Sequence, residues 1–343
     1  MSVKLSFKPK AVTKKILSGL GDRAYEVIVH RYGLLDDAEP KTLEAIGKKY
    51  GITRERVRQI ENAALTAIKK STNYSELEPV LAELKGIFVD LGAVLPEEDA
   101  LATLAKDSLS QNHLYLYLVL GDDFTLHKED EHFVTRWSVD PEMTSEVHDS
   151  IKRLYENLSD DELISESEII DRFLGELKIN NQNYKNEEIV KRWLALSKKI
   201  GKNPLSEYGR TDSSNVNARG IKDYAYLIMR KHGSPLHFRE VAKMISDTFK
   251  KKTHVATTHN ELIKDPRFVL VGRGMYGLTE WGYEPGVVRD VIAKILKKEG
   301  PMDKDEVVNR VLKERYLKRN TVLVNLQNPK YFKKNKQGLY TVA

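Results

Sequence analysis

No cysteine occurs among the 343 residues, which excludes disulfide staples, thiolate zinc sites and cysteine nucleophiles and fits a reducing compartment. No window approaches the ~20 consecutive apolar residues of a membrane-spanning helix. The basic N-terminus (Lys4, Lys8, Lys10) is followed by an apolar stretch at Ile16 and Leu17 that Gly19 and Gly21 interrupt, so no secretory leader is expected. A cytoplasmic protein is the expectation. Metal chemistry has little to stand on: His254 and His259 are five residues apart and do not share a helical face as i and i+4 ligands would. The Glu-x-Lys pairs at Glu83–Lys85 and Glu176–Lys178 lack the flanking strands of a nuclease site. No cofactor and no catalysis are expected.

What the chain does have is charge, segregated along its length. Residues 1 to 72 hold 15 basic against 8 acidic side chains, residues 73 to 215 hold 15 against 29, and residues 216 to 343 hold 26 against 13. A basic head and a basic tail thus flank an acidic middle. Basic segments of this size attract nucleic-acid phosphate through counterion release, while the middle repels it.

Helices are predicted over Lys10–Leu17 and Ala24–Tyr32, the second capped by Asp22 and stopped by Gly33. Leu43, Ile46 and Tyr50 follow helical spacing, Gly51 breaks the pattern, and Thr53 caps a further helix with Val57, Ile60, Ala64 and Ile68 on one stripe. Two short helices around a glycine turn spell helix-turn-helix. On the second of them Arg54, Glu55, Arg58, Gln59 and Asn62 fall opposite the apolar stripe. Arginine, glutamine and glutamate suit guanine, adenine and cytosine edges in the major groove, and the helix N-terminus favours a phosphate.

The stretch KTLEAIGKKYGITRERVRQIENAALTAIKK resembles region 4 of the sigma-70 family, including its T-R-E-R-x-R-Q-I-E core at Thr53–Glu61. By position, that resemblance implies that Arg54, Glu55 and Gln59 read bases while Arg56 and Arg58 meet backbone or protein. It also implies double-stranded DNA and RNA polymerase as partners. The long polymerase-gripping, promoter-melting region of a complete sigma factor has no counterpart here.

The rest of the chain repeats a theme. IKDYAYLIMRKHGSPLHFREVAKMI and VRDVIAKILKKEGPMDKDEVVNRVL align Asp223 with Asp290, Gly233 with Gly300, Pro235 with Pro301 and Glu240 with Glu306, continuing to Phe268 and Phe332. Each copy reads as three helices and two short strands, the order of a winged helix. Fainter copies begin near Glu78, where Gly92 and Leu95 repeat the Gly233–Leu236 spacing, and near Val147, where Ser165 and Glu168 suggest a capping box. The fold class expected is mainly α with small β wings, divided into residues 1–72, 73–143, 144–210, 211–284 and 285–343. The string EYGRTDSSNVNARG at 207–220 is the expected linker.

SPLHFREVAKMI followed by THNELIKDPRFVLVGRGMYGLTEWG resembles the HARE-HTH winged helix, a family that includes the delta-type subunit of bacterial RNA polymerase. Lys250, Lys251, Lys252, His254, Thr257, Thr258 and His259 lie at or before its third helix and Arg273 at its hairpin tip, all candidates for phosphate or groove contacts. Gly272, Gly274 and Gly277 also satisfy G-x-G-x-x-G, but LTEWGYEPG follows rather than a helix, so a wing explains them better than a dinucleotide site. The leading expectation is a sequence-specific DNA-binding transcription protein. A polymerase accessory subunit acting through protein contacts is the alternative.

Overall fold

A computed structural model describes residues 3–36, 39–178, 184, 186–283 and 286–343. The chain is mostly helical with small antiparallel sheets and divides into two compact units, Met1–Gly201 with Tyr208–Thr211, and Lys202–Glu207 with Asp212–Ala343. None of the described helices is long and apolar enough to cross a membrane.

The first unit opens with α1 (Pro9–Leu17), α2 (Asp22–Arg31), α3 (Leu43–Tyr50) and α4 (Arg54–Lys70). Gly21, not Asp22, is the N-cap of α2; Asp22 sits in the first turn, where a carboxylate still favours the helix dipole. Val27, Ile46 and Val57, all fully buried, pin α2, α3 and α4 together. After this come α5 (Glu78–Asp90), β1 (Val94–Pro96), α6 (Glu97–Leu104), α7 (Ser108–Leu120), β2 (Thr125–His127) and β3 (Arg136–Ser138), with β3 central in an antiparallel sheet. Position 72, where a boundary was expected, does not separate two cores. Ile16, Ile28, Ala64 and Ile68 pack in one cluster with Leu84, Phe88, Tyr117 and Trp137.

A second cluster gathers α8 (Pro141–Asn157), α9 (Glu166–Glu176) and α10 (Glu187–Leu194) around Phe173 and Trp193. It joins the preceding elements where Trp193 Nε1 donates to the Gly92 carbonyl at 2.9 Å. A Cβ on Gly92 would lie 2.9 Å from that indole, so the glycine permits the approach. Only half of the expected capping box forms. Ser165 accepts from the Glu168 amide, but the Glu168 carboxylate turns to Arg172 at 2.5 Å, where a guanidinium outcompetes a backbone amide. Strands β4 (Ile200–Lys202) and β5 (Tyr208–Arg210) follow.

The second unit holds α11 (Ile221–His232), β6 (Leu236–His237), α12 (Phe238–Phe249), α13 (Val255–Lys264), β7 (Phe268–Gly272) and β8 (Met275–Leu278), with strand order β6-β8-β7. It continues with α14 (Val288–Glu299), α15 (Lys304–Glu314), α16 (Arg319–Leu326), β9 (Phe332–Lys334) and β10 (Tyr340–Val342). The aligned residues occupy equivalent places. Asp223 and Asp290 both accept from the amide of the N-cap residue of their helix, Gly220 and Val287. Leu236 pairs with Tyr276 as Met302 pairs with Tyr340, and in the first unit Leu95 pairs with Trp137 in the same sense. The 207–220 string spans the junction of the two units, yet it contains β5 and the buried Ser213, Asn215 and Val216 rather than a free tether.

One buried polar cluster of the first unit sets a pH dependence. His148 stacks on Phe133 at 4.3 Å and accepts at Nε2 from Arg136 Nε at 2.8 Å. Burial, then the charges of Arg136, His127 and Lys152, push its pKa down from 6.5 to about 4. The folded state therefore prefers the neutral ring. Its contribution is fully present above pH 6.5 and is lost as the pH falls from 6.5 towards 4. After allowance for the part of the ring that meets solvent, this amounts to about 1–2 kcal/mol. Urea unfolding at pH 7.5 and pH 5 should show that loss, and His148→Gln should flatten it; an equal pH slope in the variant would count against the assignment.

Candidate nucleic-acid interface

The helix-turn-helix owes its geometry to four residues. Thr42 and Thr53 cap α3 and α4, their hydroxyls accepting from the Ala45 and Arg56 amides at 3.1 and 3.2 Å. Gly51 takes the left-handed conformation (φ 65°) that ends α3. Gly47, inside α3, lies beneath the turn. A Cβ there would stand 2.6 Å from the Ile52 carbonyl oxygen, so only glycine lets the turn close down on the helix. Between them α3 and α4 leave a shallow groove of about 540 Å³ lined by Lys48, Thr53, Arg54 and Arg56 among others.

α4 is 17 residues long and presents two faces. Val57, Glu61, Ala64 and Ile68 are buried, while Arg54, Glu55, Arg56, Arg58, Gln59 and Asn62 are exposed. Along the exposed face the side chains order one another. Arg58 grips Glu55 through Nε at 2.9 Å and Nη2 at 2.6 Å, and that hydrogen bond holds the Glu55 carboxyl below its usual range. Arg56 donates to Gln59 Oε1 at 3.1 Å, and the Gln59 amide nitrogen keeps its two protons as donors. Arg54 stands at the first helical position, beside the positive end of the helix dipole. The arrangement offers a guanidinium, a fixed carboxylate and an amide within the first two turns of one exposed helix.

Behind it, Glu61 is the buried polar residue of the stripe. It accepts from Arg31 Nε at 3.2 Å, tying α4 to α2. From the sequence it is named only as the end of the Thr53–Glu61 motif and is assigned no face; the signal available is its spacing of four from Val57 and three from Ala64. Lys48, whose ammonium meets Glu44 at 3.0 Å, was also missed as a groove residue.

The candidates in the second unit do not form one cluster. Lys251 and Lys252 are exposed in the loop after α12, and Thr257 is exposed in the first turn of α13. The Lys251 ammonium sits 4.7 Å from the centre of the Tyr224 ring. Thr258, expected to reach a groove, is fully buried and donates to the His254 carbonyl; its spacing of four from the buried Leu262 places it on the inner face. His259 stacks on Phe238 at 4.3 Å. Arg273 is exposed at the β7–β8 tip, which packs on the start of α12 where Phe238 donates to the Gly274 carbonyl at 3.0 Å. The two lysines leave the other end of that 12-residue helix, roughly 18 Å away along its axis. Gly272, Gly274 and Gly277 belong to this hairpin. Cβ atoms at Gly272 and Gly277 would meet the Tyr316 carbonyl at 2.4 Å and the Tyr283 ring at 2.6 Å, and a short 3-10 turn, Thr279–Trp281, follows β8.

The helix-turn-helix has a known counterpart: residues 16–70 match the family Sigma-70, region 4, so the N-terminal part of the chain carries a region 4 domain. Sixty residues are 48% identical to "RNA polymerase sigma factor RpoD" of Helicobacter pylori, and 67 residues are 42% identical to "RNA polymerase sigma factor sigB" of Arabidopsis thaliana. These stretches are 18% and 20% of this chain, and only 9% and 12% of the two relatives.

Proposed function

We propose that this chain is a sequence-specific DNA-binding transcription protein that sets the N-terminal half of α4 in the major groove of double-stranded DNA. The observation that carries the reading is the exposed face of Arg54, Glu55 and Gln59, ordered by Arg58 and Arg56 on a capped helix inside the region 4 domain. Arg54 serves a guanine edge, Gln59 an adenine edge and Glu55 a cytosine amino group. Thr53 and the groove cations Arg56 and Lys48 take phosphates, which fix the register. The similarity to proteins named RNA polymerase sigma factors makes RNA polymerase the second partner, and the site is used in the cytoplasm.

The copies that follow are winged-helix-like units, and residues 211–284 a HARE-HTH-like one, in which Lys251, Lys252, Thr257 and Arg273 contribute backbone contacts. The order of helix, strand, two helices and hairpin around β6-β8-β7 supports this reading. A polymerase accessory role is the second reading, favoured by the surplus of 14 negative charges over residues 73–215, which DNA would repel.

Selection of bound duplexes from a random library at ~150 mM salt separates the two. A DNA reader enriches one motif; an accessory subunit enriches none and co-purifies with polymerase after nuclease treatment. Within the first reading, Arg54→Ala is expected to cost ~1–3 kcal/mol and relax preference at one base pair, whereas Lys251→Ala weakens all duplexes alike. Equal losses on every sequence for both variants would remove Arg54 from base reading.

A further inference from the structure

Glu314 is the last acidic side chain; the remaining 29 residues, Arg315–Ala343, contain seven lysines and arginines and no aspartate or glutamate. Two of the seven are already engaged within the fold. Arg315 is buried at 3% exposure, and Arg319 pairs with Asp305 of α15. Lys318, Lys330, Lys333, Lys334 and Lys336 are exposed, and none takes part in an ion pair among the described residues.

These lysines are not on a loose tail. β9 and β10 pair with Tyr340 opposite Lys334 and Thr341 opposite Lys333, and the buried Phe332 and Tyr340 hold the inner face of the hairpin. Its tip is closed by Asn335, whose Oδ1 accepts from the Gln337 and Leu339 amides at 2.9 and 3.0 Å. Lys334 lies 5.1 Å from the Tyr340 ring centre and Lys330 5.8 Å from that of Tyr331, which also receives Arg289 at 4.9 Å. The cations are thus carried on one ordered scaffold, with no ion pair among the described residues to offset them. A dense external polyanion that meets them releases its own counterions.

We propose that the last repeat, residues 286–343, is a sequence-independent clamp for the phosphate backbone of duplex DNA, with Lys330, Lys333, Lys334 and Lys336 as its main contacts. A duplex fits better than a single strand, because single-strand binding sites offer open aromatic faces for base stacking and here both tyrosine rings are covered by cations. Lysines, as mobile point charges without a fixed fork, suit phosphate held at any sequence. The clamp is separate from the base-reading face proposed for α4 and needs no particular target motif.

The test uses the full chain, with anisotropy of a labelled random-sequence duplex and a single strand of equal length measured from ~50 to ~300 mM salt. For K333A/K334A/K336A the slope of log affinity against log salt should become shallower by roughly 2–3, and Kd at ~150 mM should rise about tenfold or more on every duplex alike. The corresponding triple arginine variant should bind as the wild type does, with the same thermal unfolding for all three proteins. An unchanged salt slope, or a loss confined to the single strand, would overturn the clamp. Failure of the α4 reading looks different: it removes the enriched motif and leaves this slope intact.

Discussion

Replacing Arg54, Glu55 and Gln59 together by alanine should abolish sequence preference while the protein remains folded and still binds DNA weakly. Each well-formed side chain–base pair is worth ~1–3 kcal/mol of discrimination, so three together represent roughly 3–9 kcal/mol if additive, about 10²-fold at the lower end and about 10⁶-fold at the upper. The fold tolerates the change because all three side chains are exposed. The interactions lost are the Glu55–Arg58 pair and the Arg56–Gln59 hydrogen bond, both solvent-exposed, so they contribute little to stability. Parallel selections from a random duplex library with wild type and variant give the readout. A motif that survives the triple substitution would place base reading elsewhere and end the α4 assignment.

The second large effect is structural and comes from a residue that touches no ligand. Gly47→Val puts carbon where the Ile52 carbonyl oxygen now lies 2.6 Å from the Cβ position, and backbone on both sides leaves no cheap way to relax. A cost of about 3 kcal/mol or more is expected, with the α3–α4 turn forced open and DNA binding lost with it. Gly51→Ala is the matched control. Gly51 has φ 65° but open space around its Cβ position, so the substitution meets only left-handed strain, about 1 kcal/mol. Urea midpoints of the two variants should therefore differ clearly; similar midpoints would mean that the turn does not depend on contact with Gly47.

That pair of glycines shows what sequence reading can and cannot recover. Gly51 was legible because it ends a periodic stretch and stands two residues before a threonine cap, a local pattern. Gly47 was not, since its reason is a carbonyl brought back over the helix by the following turn. The same divide runs through the candidate site. The alternation of Val57, Ala64 and Ile68 with Arg54, Glu55, Arg58 and Gln59 is a property of one helix and can be read from spacing alone. Glu61 breaks that alternation because its partner, Arg31, is 30 residues away on α2. Thr258 was placed on the wrong side because it was grouped with its polar neighbours rather than with Leu262.

The repeats tell a similar story at longer range. Gly233 with Leu236 and Gly300 with Met302 mark where a helix ends and a strand-like pairing begins, so the two later copies are visible as aligned strings. Earlier in the chain only the Gly92–Leu95 spacing hints at the pattern, and there Leu95 pairs with Trp137 in the antiparallel sense that Leu236 shows with Tyr276. Core boundaries left no local signal, because Ile68 and Leu84 look alike whether they serve one cluster or two.

That shared cluster bears on what counts as a module. The stretch matched to Sigma-70, region 4 ends at residue 70, but the packing continues: Ala64 and Ile68, at the C-terminal end of α4, are embedded among side chains contributed as far along as Trp137. A fragment cut at residue 70 would keep the exposed face of α4 intact and leave the other half of the same helix with bare apolar flanks. Family match and side-chain packing thus draw different borders here.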